Sequence, residues 1–340
     1  MVSFSDVTLN NESLKTPGSG PIAAFVGGTN GIGLSTLQAL LKHTSSPTVY
    51  LVGRDSSRLN SLISEVQPLN TSATIIPIVA NDLTLVRNAQ KAAKEIASQA
   101  PRLDILVMSP GYLTFSSASF SPEGLDRLTA IRYHARMRFL VTLLPLLRLS
   151  PSPRVISVLA AGQEGPLNLS DLGMTGPKSQ GPIYAAGAAA SMITLAMEHL
   201  SKQPGNEKIV FIHTFPGIVA DTGLKVHDIG FFMRFLINWI VKPVMKVVGI
   251  TSAESGERTL FAATNGRFRR LQPGVSGEGT LIQEGSDGTQ GSGVYALKAD
   301  SSVVSGGGNA SLKKLRNLDG GKKVWEYTLS EFERIESMDA

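Results

Sequence analysis

The segment 24–34, Ala-Phe-Val-Gly-Gly-Thr-Asn-Gly-Ile-Gly-Leu, constrains the fold of this chain more than any other part of the sequence. It joins an apolar run to a glycine-rich turn and then to a helical pattern. Gly27 allows a tight turn after a strand, Gly31 lets the backbone approach a pyrophosphate, and Gly33 lets the helix pack against the strand. This order predicts a dinucleotide phosphate site, and a tight turn that binds nothing is the alternative.

Apolar, β-rich runs alternate with helix-length segments along the first two thirds of the chain. The six runs are Ala23–Val26, Thr48–Val52, Thr74–Val79, Ile105–Met108, Arg154–Leu159 and Ile209–Phe215. Strands that are apolar on both faces and separated by helices indicate a parallel sheet covered on both sides. We therefore predict a doubly wound α/β fold, with a ligand crevice at the carboxyl ends of the strands.

Composition excludes several function classes. The net charge is +5, but only 17% of the residues are charged and no dense Lys/Arg stripe interleaves with aromatic residues, which argues against nucleic acid as a partner. The chain has no cysteine, and its five histidines lack metal-ligand spacing, so we expect neither disulfides nor a metal site. The N-terminus carries no apolar core of signal-peptide length, so we expect a cytoplasmic protein.

We divide the chain into an N-terminal extension (1–20), a main domain (21–270) and a C-terminal part (271–340). The C-terminal part begins as a Gly/Ser-rich stretch that we interpret as loop over about 273–310. A helical pattern follows, and we expect it to dock on the core with Trp325 as a packing anchor.

The glycine turn, the strand order and several later motifs together resemble the short-chain dehydrogenase/reductase family over about residues 21–263. The later motifs are Asn81-Asp82-Leu83, Ser109-Pro110-Gly111 and Pro216-Gly217. The resemblance implies a Rossmann-type fold and a nicotinamide cofactor. The cofactor-binding residues that it implies are Gly27, Thr29, Asn30, Gly31, Ile32, Gly33, Asp82, Ser109, Gly111, Pro216, Gly217, Val219 and Thr222.

The second strand ends at Val52-Gly53-Arg54 instead of at an acidic residue. Rossmann sites use an acid there for the ribose hydroxyls of NAD and an arginine for the 2′-phosphate of NADP. Arg54 therefore indicates NADP(H). The alternative is that Arg54 is a solvated loop cation paired with Asp55.

Only one of the four catalytic positions of the family matches. Tyr184 occupies the position of the general acid or base, but Ala188 stands at the position of the lysine four residues later. Leu159-Ala160 replaces the expected Ser-Ser, and Arg132 replaces the relay Asn. A tyrosine without a neighbouring cation holds its proton at neutral pH, so donation to a developing alkoxide survives these losses better than proton abstraction.

Other residues could complete the site. Arg132 and Arg136 lie one helical turn apart, so a guanidinium could supply charge near Tyr184 or bind an anionic substrate; the alternative is that both face solvent or another subunit. Tyr112 is the second candidate acid, and Glu164 could face the nicotinamide as a base; the alternative is that these residues cap or hydrogen-bond a loop. We expect His213, inside an apolar strand, to be a satisfied core histidine.

After the Pro-Gly motif the family has a mobile substrate lid, here assigned to residues 223–250. Its aromatic residues predict a hydrophobic small-molecule substrate, and its charged residues interrupt any membrane span. The basic residues Arg234, Lys242 and Lys246 could also face an anionic membrane surface, with a plain lid helix as the alternative. The apolar stretches 125–147 and 184–200 occupy positions that the family uses for subunit contacts, which suggests a homodimer.

The segments around Tyr112, Arg132 and Glu164 also resemble an atypical fungal branch of the family that is tied to secondary metabolism. The resemblance implies an NADPH-dependent oxidoreductase that reduces a carbonyl or conjugated double bond of a hydrophobic metabolite. Two alternatives stay open. One is a non-redox isomerase, dehydratase or cyclase on the same fold, and the other is a catalytically silent NADP-binding protein.

Overall fold

The computed structural model describes residues 1–16, 18, 20–114, 118–176, 181–217, 219, 226–227, 249–271 and 281–338. Its centre is a parallel sheet of seven strands in the order β3-β2-β1-β4-β6-β7-β9. These strands are β1 (Ile22–Val26), β2 (Thr48–Gly53), β3 (Thr74–Val79), β4 (Ile105–Met108), β6 (Arg154–Val158), β7 (Val210–Thr214) and β9 (Val294–Leu297). A separate pair consists of β5 (Leu113–Thr114) and β8 (Val226–His227).

Helices cover both faces of the sheet. They are α1 (Phe4–Glu12), α2 (Gly31–His43), α3 (Ser56–Val66), α4 (Val86–Gln99), α5 (Arg127–Thr129), α6 (Ala135–Arg148), α7 (Pro182–Ser201), α8 (Ser252–Thr264), α9 (Ala310–Asn317) and α10 (Gly320–Ser337). A π-helical turn, Ala130–His134, joins α5 to α6. This architecture confirms the predicted doubly wound α/β fold.

Strand β1 shows why the apolar runs become central strands. All five of its residues are buried, with Ala24 and Val26 in the core under α4, α6 and α7, and Phe25 in the core under α2 and α8. Burial on both faces requires apolar side chains at every position. The chain leaves β1 towards β2 on one side and later returns to β4 on the other. The order of the sheet therefore reverses at β1 and β4, where such folds form their ligand crevice.

The stretch 273–310, interpreted as loop, also contributes to the sheet. Within it, Val294–Leu297 forms β9 and pairs in parallel with β7, and all four residues are buried. Sequence analysis missed this strand because it has only four residues and lies between glycine-rich turns. Strand β9 thus places part of the C-terminal segment 281–338 in the same sheet as the strands of the main domain.

The C-terminal helix α10 packs on α7 and α4, as the docking prediction required. Trp325 stacks on His199 of α7, with ring centroids 6.1 Å apart, which confirms it as a packing residue. The guanidinium of Arg138 in α6 lies 4.4 Å from the ring centroid of Phe332. Helix α10 thus covers a face of α7 and contacts Arg138 of α6, and both helices lie in the stretches that the sequence assigned to a homodimer contact.

Part of the prediction lies outside the described residues. This holds for Thr222 and for the lid 223–250, except residues 226–227 and 249–250. Among the described residues, no helix is both long and apolar enough to span a membrane.

Candidate functional site

The glycine turn packs directly against the chain that follows β4. Gly27 has a φ of +87°, and a Cβ on it would lie 2.7 Å from the nitrogen of Pro110. A Cβ on Gly33 would lie 2.3 Å from the carbonyl oxygen of Gly27 and 2.4 Å from Oγ of Ser109. Only glycine fits at either position. Because neither position carries a side chain, the surface at the N-terminus of α2 consists of backbone. A dinucleotide pyrophosphate binds to a backbone surface of this kind.

Two side chains form hydrogen bonds to the backbone of the turn. Asn30 caps α2 by accepting a hydrogen bond from the backbone N–H of Gly31 at 2.8 Å. Ser109 donates its hydroxyl to the carbonyl oxygen of Gly27 at 3.2 Å. Thr29 and Ile32 belong to the same segment, and Gly111 lies exposed just beyond Ser109. The structure thus brings together the predicted residues from the ends of β1 and β4.

Arg54 is exposed immediately after β2. The carboxylate of Asp55 accepts hydrogen bonds from Ser57 and from the backbone N–H of Arg58, and these bonds hold the pKa of Asp55 below its usual range. Asp55 thereby caps α3, and no ion pair recorded within the described ranges joins it to Arg54. The binding of a 2′-phosphate by Arg54 stays a prediction, and its exposure also agrees with the solvated cation of the alternative, although the pair with Asp55 is not recorded.

The other predicted cofactor residues lie at neighbouring strand ends. Asp82, after β3, accepts from the backbone N–H of Thr84 at 2.8 Å and pairs with Arg127 at 3.3 Å. Pro216 and Gly217 follow β7, and Gly217 has a φ of +74°. Val219 is buried. The positions of these residues are consistent with their predicted role.

Arg136 is the best-bonded cation of the site. It is 1% exposed, and its Nη1 donates to the carbonyl oxygens of Met108 and Val158, at 3.0 and 2.9 Å, and to Oγ of Ser157 at 2.7 Å. Its Nη2 donates to the carbonyl oxygen of Pro110 at 2.7 Å. Burial lowers its pKa to about 9. Arg136 therefore joins the carboxyl ends of β4 and β6.

Arg132 projects from the π-helical turn and is 7% exposed. Its Nη2 donates to the carbonyl oxygen of Tyr112 at 3.4 Å, whereas its Nη1 has no hydrogen-bond partner in the part of the chain that the structure describes. Burial lowers the pKa of Arg132 and raises that of the Tyr112 phenol. The alternative that Arg132 and Arg136 face solvent is therefore wrong.

Tyr184 lies in the first turn of α7 and is half-buried. Its hydroxyl accepts a hydrogen bond from the backbone N–H of Asn168 at 3.0 Å. Ala188, at the position of the family lysine, is fully buried. No contact recorded among the described residues joins Tyr184 to Arg132, whose hydrogen bond goes to Tyr112 instead.

Glu164 and His213 belong to a buried polar chain. The backbone N–H of Ala160 donates to Nε2 of His213 at 3.1 Å, and Nδ1 of His213 lies 2.8 Å from Oγ1 of Thr194. The Thr194 hydroxyl donates to Glu164 at 2.9 Å. Burial lowers the pKa of His213 to about 3. His213 is confirmed as a satisfied core histidine.

For Glu164 the structure favours the alternative, a residue that hydrogen-bonds within the protein, over a base that faces the nicotinamide. Glu164 is 3% exposed, and its carboxylate is directed towards Thr194 of α7 and His213 of β7. The loop that carries Glu164 packs closely against α7, since a Cβ on Gly165 would lie 2.9 Å from Cα of Gly187. The sequence analysis singled out Glu164 and His213 but missed Thr194, which joins them and lies among the apolar residues of α7.

Comparison with known proteins agrees with these features. The model of the short chain dehydrogenase family matches residues 21–227. Oxidoreductase AN1596 of Emericella nidulans is 35% identical over 334 residues, covering 97% of this chain and 98% of that protein. Short-chain dehydrogenase/reductase SAT2 of Stachybotrys chartarum is 31% identical and covers 95% of each chain.

Solved structures share the fold. The RhlG/NADP active-site complex of Pseudomonas aeruginosa aligns with a TM-score of 0.52 at 21% identity, over 72% of this chain and 90% of that chain. An uncharacterized protein from Mycobacterium paratuberculosis aligns with a TM-score of 0.62 at 14% identity, over 95% and 97% of the two chains.

Proposed function

Because the chain belongs to the short-chain dehydrogenase family and is an oxidoreductase, we propose that it uses NADPH to reduce a carbonyl or conjugated double bond of a hydrophobic metabolite. The observation that carries the proposal is the glycine cradle against Ser109 and Pro110, with Arg54 free of Asp55 at the end of β2. Its full-length relatives are fungal oxidoreductases, which supports a role in secondary metabolism.

The chain's own residues define what the site can do. The turn from Gly27 to Gly33 would hold the pyrophosphate, and Arg54 would bind the 2′-phosphate. When bound, NADPH supplies the hydride. Tyr112 and Tyr184 are the two candidates for donating a proton to the substrate oxygen. Burial raises the pKa of Tyr112, so its phenol is protonated at neutral pH but is a weaker acid than a free tyrosine.

A specific observation favours the second candidate, a non-redox isomerase, dehydratase or cyclase. Ala188 is fully buried in the place of the family lysine, and Leu159-Ala160 carries no hydroxyl. Such a site could still position a substrate without transferring hydride. A silent NADP-binding protein is the third outcome.

The homodimer prediction receives less support. Because α10 packs on α7 and contacts Arg138 of α6 within one chain, a dimer could not use those same faces without displacing α10. Light scattering after size-exclusion chromatography measures the oligomeric state directly, by comparing the mass in solution with the 36.1 kDa of one chain.

The experiment is calorimetric titration with NADPH, NADP⁺, NADH and NAD⁺ under one set of conditions. Selective micromolar binding of NADPH, followed by its consumption with hydrophobic ketones or enones, supports the reductase. Binding of NADPH without its consumption favours the third candidate, a catalytically silent NADP-binding protein. Absence of binding by all four nucleotides contradicts the proposal, and products must then be screened for isomerisation or cyclisation.

A further inference from the structure

The side chain of Arg132 is a buried cation with one guanidinium nitrogen, Nη1, that has no hydrogen-bond partner among the described residues. It is 7% exposed, and its single recorded hydrogen bond is the 3.4 Å contact from Nη2 to the carbonyl oxygen of Tyr112. A buried charged donor without a partner costs free energy, so a structure that retains one requires an explanation.

Nearby carboxylates are committed elsewhere. Asp126 accepts from the backbone N–H and the hydroxyl of Thr129, both at 2.9 Å, and from the backbone N–H of Ser119 at 3.1 Å. Asp82 accepts from Thr84 and pairs with Arg127. Neither acid forms a recorded ion pair with Arg132 among the described residues.

A second cation adds to the local excess of positive charge. Arg136, one turn further along, bonds to carbonyl oxygens and to the hydroxyl of Ser157. The proximity of Arg132 contributes to lowering the pKa of Arg136. Two buried guanidinium groups thus lie close together, and neither forms a recorded ion pair in the described part of the chain, although Asp126 attracts Arg132 through space. A bound anion would compensate this charge.

We propose that Arg132 binds a planar oxyanion of the substrate through Nη1, beside Tyr112. The substrate class is then a hydrophobic metabolite that carries a carboxylate or an ionised enol. A guanidinium suits either group because its planar set of N–H donors matches two oxygens with delocalised charge. This inference rests on the proposed function, because it places the oxyanion at the predicted nicotinamide end of the crevice.

A purely structural Arg132 would only hold the segment after β4 through Tyr112. Such a clamp stabilises the fold but does not distinguish a charged ligand from a neutral one of the same shape. The discriminating measurement is therefore the ratio of affinities for matched charged and neutral probes.

The experiment titrates the NADP⁺-loaded protein with 2-naphthoate and with 2-naphthamide. A second pair, 2-hydroxy-1,4-naphthoquinone and its 2-methoxy analogue, tests an ionised enol against a neutral match. We expect the anion of at least one pair to bind about tenfold more tightly than its neutral match, the effect of a charge-assisted hydrogen bond. The pair that shows the preference identifies the source of the oxyanion.

The Arg132→Gln variant should lose this preference, Arg132→Lys should keep part of it, and Arg148→Gln, an exposed arginine on α6, should keep all of it. Equal affinities for both members of both pairs in the wild type overturn the proposal, as does a preference that survives in Arg132→Gln. If Arg132→Gln does not fold, the Arg132→Lys variant decides instead, and an undiminished preference in it overturns the proposal. Absence of NADP⁺ binding contradicts the proposed function instead, and the nucleotide-free protein is then titrated with the same probes.

Discussion

Two regions of the crevice differ in how much of the family's sequence pattern they keep. The predicted cofactor region, the turn from Gly27 to Gly33 with Arg54, keeps the family pattern, and its turn is built from backbone at close range. The predicted catalytic region, the ends of β4 and β6 with the start of α7, keeps only Tyr184 of that pattern. In place of the lysine and serine it contains a buried polar network, with Arg136 on one side and the Ala160–His213–Thr194–Glu164 chain on the other.

The difference shows that cofactor recognition and catalysis are under separate constraints in this fold. A pyrophosphate requires a backbone shape that only glycines at fixed positions allow. A proton donor requires only a hydroxyl of suitable pKa within reach, and several positions around the crevice can supply it. The catalytic region could therefore change while the cofactor region stayed the same.

The largest effect is expected in the catalytic region, on stability. Arg136→Met removes the donors to Met108, Pro110 and Val158 and leaves their buried carbonyl oxygens without this partner, so the free energy of unfolding should fall by about 3–5 kcal/mol. Urea unfolding measures it. The control Arg148→Met, at an exposed position, should cost less than about 1 kcal/mol. A neutral Arg136→Met would mean that the polar network does not hold this region.

In the cofactor region, Gly33→Ala should lower the affinity for NADPH roughly 100-fold, because the added Cβ has no room beside Gly27 and Ser109 and overpacking must distort the turn. Calorimetric titration measures the affinity. Gly266→Ala is the matched control, since a Cβ there meets nothing within 4 Å. Unchanged affinity in Gly33→Ala would place the nucleotide elsewhere.

Acid should weaken the catalytic region through His213. Its pKa is about 3 in the folded protein and 6.5 in a model peptide, so below pH 6.5 the unfolded chain binds a proton that the folded chain does not. Stability should fall by about 2 kcal/mol from this group between pH 7.5 and pH 5. In His213→Gln, less stable at pH 7.5, the loss between the two pH values should shrink by that amount. An equal loss in both proteins would show that His213 titrates normally when folded.

The smallest effect concerns the choice of cofactor. Arg54→Gln should reduce the preference for NADPH over NADH about tenfold, because charge-assisted bonds to the 2′-phosphate are lost. Arg58→Gln, an exposed neighbour in α3, should leave the preference unchanged. The ratio of the two dissociation constants is the readout. A preference that persists in Arg54→Gln would assign phosphate recognition to another residue.

The sequence by itself determined the six apolar strands, the glycine turn and the family, because these are local features: burial on both faces dictates the composition of a strand, and a tight turn dictates glycine. It also located Tyr112, Arg132 and Tyr184, although their roles stay predictions. Only the tertiary structure decided that Val294–Leu297 completes the sheet, that Arg132 and Arg136 point inward, and that Glu164 bonds to Thr194. The direction of a polar side chain depends on partners far away in sequence, and the residues that satisfy it become neighbours only when the sheet and its helices pack together.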